Sequence, residues 1–123
     1  MTFTINQTIE TVVFHTGEYT TNSVVPTTAT AYAKGDLVKI NATTNVCTLA
    51  TSADDFDGIV IKDHSSADST LLVANSAKMQ VAIDGMFNVA ELKLSGVKLN
   101  AANQVKAMAK ANNGGKFVLQ EVV

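Results

Sequence analysis

Residues 34–63, KGDLVKINATTNVCTLATSADDFDGIVIKD, decide how the rest of the chain is read. They spell strand, turn, strand, loop, strand. Gly35 and Asp36 open the stretch. Leu37, Val38, Lys39 and Ile40 form a β-branched, partly alternating run that suits a half-buried strand. ATTN at 42–45 is a short polar turn, and VCTL at 46–49 returns. A polar loop over 52–57 leads to Gly58, Ile59, Val60 and Ile61, a short apolar run of the buried-strand type.

On the N-terminal side, TFTINQTIE at 2–10 alternates, with Phe3, Ile5 and Ile9 on one side. Thr2, Thr4, Asn6, Thr8 and Glu10 lie on the other, so the pattern is that of a strand. The phase then slips to Val12 and Phe14, which a bulge or bend near Glu10 and Thr11 explains. Residues 19–33 are small, polar and Thr-rich around Pro26. They read as an extended linker or arm, with an ordinary edge strand plus loop as the alternative.

On the C-terminal side, 64–69 reads as a turn and Leu71, Leu72 and Val73 as a short strand. KMQVAID at 78–84 alternates, with Met79, Val81 and Ile83 inward, and Gly85 ends it. NVAE at 88–91 fits a capping box, and Ser95-Gly96 fits a helix stop. A short helix is expected there, although Met86, Ala90, Leu92 and Leu94 also alternate as a strand would. VKINA at 38–42 recurs as VKLNA at 97–101. The echo continues with Val46 on Val105, Leu49 on Met108, and Ile59-Val60 on Val118-Leu119. Because it includes the turn residues, a second hairpin is preferred over 101–111. The alternative is a helix, favoured by the Ala, Gln, Lys and Met content. Gly114-Gly115 marks a turn, and 116–123 is a last strand.

A chain of 123 residues that is 46% hydrophobic and 16% charged is expected to be one folded unit and not a disordered one. Its parts are an N-terminal strand or arm with a Thr-rich linker at 1–33 and a β-domain with an internal pseudo-repeat at 34–123. No run suits a membrane span, and no basic-then-apolar leader is seen. The net charge is −2 and the nine cationic side chains are all Lys, a poor endowment for binding nucleic acid. The single cysteine, Cys47, allows no internal disulfide and suits synthesis in a reducing cytoplasm. In its strand pattern it reads as a buried, inert thiol.

No residues are assigned to catalysis, a cofactor or a metal. His15 and His64 have no ligand-type neighbours at useful spacing. The run Asp54-Asp55-Phe56-Asp57-Gly58 lacks the alternation of a calcium loop and reads as a solvated turn, able at most to hold an ion weakly. General acid–base chemistry needs paired titratable groups that this chain does not supply in any recognisable pattern, so a non-enzymatic role is expected.

The phrase AYAKGDLVKINATTNVCTLATSADDFDGIVIKD resembles the head decoration, or capsid cement, proteins of tailed bacteriophages. Gly35, Leu37, Val38, Gly58 and Ile59 stand at matching places, and the following segment that closes on Gly85 is similar, so the likeness covers residues 34–85. The resemblance implies homotrimers on the outer face of the expanded capsid at threefold or quasi-threefold positions, clamping neighbouring major capsid subunits. It also implies an N-terminal arm that pairs with capsid strands. Phe3, Thr4, Ile5, Ile9, Val12 and Phe14 are the residues that would form it here.

The expected fold is therefore a mainly β, small barrel or sandwich (β-tulip or SH3-like) with at most one or two short helices and an extended N-terminal arm. The expected role is capsid decoration on the virion, with the major capsid protein and further copies of itself as partners, and neither nucleic acid nor membrane. The rival reading is a β-sheet binding module of a phage tail or cell surface, carbohydrate-binding or adhesin-like. Exposed aromatic side chains would favour it, and Tyr19 and Tyr32 are the only tyrosines.

Overall fold

The computed structural model describes residues 18–120. The protein is mainly β and is built on a closed five-stranded barrel. Its strands are β1 (Thr21–Pro26), β2 (Leu37–Ile40), β3 (Val46–Leu49), β4 (Gly58–Val60) and β5 (Met79–Ala82). Around the barrel the order is β1-β3-β2-β4-β5, with β5 closing on β1. β1 and β3 run parallel; every other barrel pairing is antiparallel. The strand-turn-strand-loop-strand expected for 34–63 is β2, β3 and β4. Its hairpin is held by register pairs Val38 with Leu49 and Ile40 with Cys47.

Adjacent residues of these strands enter different apolar clusters, as the twofold pleat requires. Val24, Val38, Cys47, Val60, Met79 and Val81 come from all five strands and pack together with Tyr32, filling the barrel. Their neighbours Leu37, Ile59 and Ala82 face outward into a second cluster with Phe56, Phe87, Val89, Leu92, Leu99, Phe117 and Leu119. Leu37, Val38, Ile59 and Val60 are therefore all fully buried. β2 and β4 are covered on both faces, which is why they read as apolar runs without clean alternation.

The second cluster is roofed by the C-terminal half. β6 (Gly85–Asn88) pairs in parallel with β9 (Phe117–Gln120), and between them lie the short hairpin β7 (Lys93–Leu94) and β8 (Val97–Lys98) and the helix α2 (Ala101–Gly114). Phe87 and Phe117 pack with ring centroids 6.0 Å apart, and Phe56 joins them from the 52–57 loop at 5.6 Å from Phe117.

Several local expectations need correction. Residues 19–33 supply β1, so the strand-and-loop alternative describes this tract, with Val24 and Pro26 turned inward. Leu71, Leu72 and Val73 are not a strand but lie in helix α1 (Ser66–Ala74), and the 64–69 turn is largely its start. The cause is a capping box: Ser65 Oγ accepts from Asp68 N at 3.1 Å, and Asp68 Oδ2 accepts from Ser65 N at 3.2 Å. The second hairpin expected over 101–111 is helix α2. Local propensity prevails there because both ends are capped: Asn100 Oδ1 accepts from Asn103 N, and Gly115, at φ 74°, donates to Ala111 O. The echo of the first hairpin has no strand partner at that place. Ser95-Gly96 ends no helix. With φ of 48° and 82° it is the tight I′-type turn between β7 and β8. The helix expected at 88–91 is a single 3-10 turn, Val89–Glu91, capped by Asn88 Oδ1 on Ala90 N. The strand alternative holds on either side of it, as β6 and β7.

Candidate functional site

The six residues assigned to the arm, Phe3, Thr4, Ile5, Ile9, Val12 and Phe14, lie outside the described residues. What is described is the point from which the chain enters the fold. Tyr19 stacks at 5.7 Å on Phe87, Thr20 N donates to Asp84 Oδ1 at 2.8 Å, and Ile83 N donates to Thr20 O. The entry is thus anchored on β6 and on the end of β5.

Among the described residues the surface offers several exposed apolar side chains. Met86 and Val118 are register partners on β6 and β9 and are 36% and 51% exposed. Val97 on the β7–β8 hairpin, Val105 on α2 and Leu71 on α1 are exposed as well. Isolated surface hydrophobics are ordinary; Met86 and Val118 differ only in lying side by side across one strand pairing. Sequence reasoning placed Met86 on an alternating run without marking its exposure, because exposure depends on which face α2 occupies.

The polar groups are committed to structure. Asp36, 1% exposed, accepts from Ala33 N at 2.8 Å through one oxygen and from Gly96 N at 2.7 Å through the other. It ties the β7–β8 hairpin to the start of β2, a role its sequence position did not reveal. The three carboxylates of the 54–57 loop are held within the fold, and Asp55 and Asp57 share Lys39, whose Nζ lies 2.5 Å from Asp55 Oδ1 and 3.9 Å from Asp57 Oδ2. Asp54 accepts from Ser52 Oγ, which holds its carboxyl below the usual range. Asp55 pairs with Lys39, and Asp57 Oδ2 accepts from Ile40 N at 2.8 Å. Among the described residues no three His, Cys, Asp or Glu side chains are placed to hold a metal ion. His64 exchanges both backbone hydrogen bonds with Tyr32. No described helix is long and apolar enough to cross a membrane.

Cys47 is fully buried inside the barrel, and its carbonyl accepts from Tyr32 Oη at 2.8 Å and Thr27 Oγ1 at 2.7 Å. Burial pushes its thiol from 9.0 up to about 12, so it stays protonated and unreactive near neutrality. The folded state then holds a proton that the unfolded state releases above about 9. Stability contributed by this group is full below pH 9 and is lost as pH rises from 9 toward about 12. Urea midpoints are expected to fall over that window in the native protein and to fall less steeply in Cys47→Ala. Equal slopes would show that the thiol is not held in this way.

No protein-family model matches the chain, and no curated protein sequence matches it.

Proposed function

We propose that this protein decorates the outer surface of a tailed-phage capsid, binding as trimers at threefold or quasi-threefold positions and clamping major capsid subunits. The observation that carries the reading is that the segment resembling capsid cement proteins, residues 34–85, makes up most of the barrel, which β1 completes. It supplies four of the five barrel strands, β2 to β5, and closes at the first residue of β6. Its Gly58 sits where an added Cβ would approach Ala82 O to 3.0 Å, so the motif glycine serves the close approach of β4 and β5.

Two further observations support a structural role. Among the described residues the buried polar side chains Asp36, Ser69 and Asn88 are all hydrogen-bonded within the fold, so none is held in reserve for a ligand. The exposed side chains include apolar ones on β6, β9, α1 and α2, as a protein-contacting surface needs. The rival binding module would want an aromatic platform. Among the described residues, Tyr32 is 2% exposed, Tyr19 packs on Phe87, and Phe56, Phe87 and Phe117 are all buried.

The test has two arms. Light scattering reads the oligomeric state, and sedimentation reads binding to expanded, DNA-free shells of the major capsid protein encoded with this chain. Trimers that co-sediment in fixed ratio to capsid subunits are expected. A protein that stays monomeric both free and with the shells, or that fails to co-sediment, overturns the proposal.

A further inference from the structure

We infer that Asn113 is a site of spontaneous covalent modification, deamidating through a cyclic imide formed with Gly114. The chain has a single Asn-Gly pair, at 113–114, and two Asp-Gly pairs, at 57–58 and 84–85, that could form the same ring. A glycine on the C-terminal side lets its backbone nitrogen reach the preceding side chain, because no Cβ obstructs the approach.

The structure separates the three pairs. At 57–58, Asp57 Oδ2 is held by Ile40 N, and Gly58 is buried in β4 against Ala82 O. At 84–85, Asp84 Oδ1 is held by Thr20 N, and Gly85 N donates to Lys116 O at 3.1 Å. Neither carboxyl is free to turn onto the following nitrogen. Asn113 and Gly114 are both exposed, and the Asn113 side chain has no hydrogen-bond partner among the described residues. A Cβ at Gly114 would meet nothing within 4 Å, so the pair stands in open space.

The one restraint is the helix. Residues 113 and 114 close the last turn of α2, whose cap is Gly115 N donating to Ala111 O. Consecutive glycines make that turn cheap to open, and helix ends fray before interiors. Other asparagines are better held: Asn41 Oδ1 accepts from Thr43 N and Thr44 N, Asn88 Oδ1 from Ala90 N, and Asn100 Oδ1 from Asn103 N.

The chemistry is closed and needs only water. When the turn opens, Gly114 N attacks Asn113 Cγ; a C–N bond forms, the amide proton passes to solvent, and the side-chain nitrogen leaves as ammonia. Water then adds to one imide carbonyl and breaks one of the two C–N bonds. The product is Asp at 113, or its isomer with the main chain running through the side-chain carbon. Either places a carboxylate at the C-terminal end of α2, where the helix dipole disfavours negative charge. The isomer also lengthens the backbone just ahead of Phe117, whose ring packs on Phe56 and Phe87.

The test incubates the full chain at mildly alkaline pH and digests it with trypsin, which cuts after Lys110 and Lys116 and isolates ANNGGK. The mass gain of an NH2-to-OH exchange is expected to appear first in this peptide, on Asn113 by fragmentation, with matching ammonia release. Gly114→Ala, which strengthens the last turn and adds a Cβ, is expected to slow it roughly fivefold or more. A first gain at any other asparagine, or an unchanged rate in Gly114→Ala, overturns the inference.

Discussion

Deleting residues 1–14 is expected to weaken capsid binding by orders of magnitude while the barrel stays folded. Phe3, Ile5 and Ile9 alternate with polar residues in the sequence, as the residues of one strand face would. Such a run can add to a sheet edge on a partner, with backbone hydrogen bonds supplying the pairing and the apolar side supplying burial. Each side chain of this kind contributes about 1.5–3 kcal/mol when fully buried, less the entropy of ordering the segment. The fold should survive because the barrel closes without these residues: β1 starts at Thr21 and is held by β3 and β5. Circular dichroism and thermal melting check the fold, and capsid sedimentation checks binding. Unfolding of the truncated protein would make the segment part of the core. Full-strength binding by a folded truncation would move the capsid contacts elsewhere, with Met86 and Val118 the first candidates.

The second large effect belongs to Gly85. Its φ is +125°, and an added Cβ would lie 2.6 Å from Tyr19 Cβ, 3.0 Å from Tyr19 Cα and 3.1 Å from Glu18 O. Two of these three atoms are backbone, so no rotamer change relieves the contact. Strained backbone and overpacking together make Gly85→Ala cost roughly 3–5 kcal/mol. Gly114→Ala, with open space around it, serves as the comparison and should leave stability unchanged or raise it by up to about 1 kcal/mol through helix propensity. Urea unfolding of the two variants compares them directly. A Gly85→Ala protein as stable as Gly114→Ala would mean that the chain entry does not pack on β6 as described.

The barrel was legible because short-range chemistry and long-range packing agree there. Period-two alternation over 78–84 is β5 at Met79–Ala82, and the apolar run at 58–61 is a strand buried on both faces. The buried thiol at Cys47 was readable for the same reason, as a small apolar residue inside a strand pattern. The capping signals of α1 were also present, in Ser65 and Asp68. The strand reading of 71–73 rested on three apolar residues in a row, of which Leu71 and Val73 are exposed and supply little packing.

By itself, then, the chain's sequence determined the strands whose hydrophobic period is set by burial on known faces, and the composition that suits a β-barrel. Tertiary structure alone decided the rest. Over 101–111 the echo of the first hairpin favoured a second hairpin; propensity and the caps at Asn100 and Gly115 favour the helix, and the burial of Ala107 and Ala111 fixes it in place. Strand order around the barrel, the joining of β6 to β9 across an intervening hairpin and helix, and the clasp of Asp36 on Gly96 all link residues far apart in the chain. No local period records such pairings, because their energy appears only when the distant partner has already been brought into place.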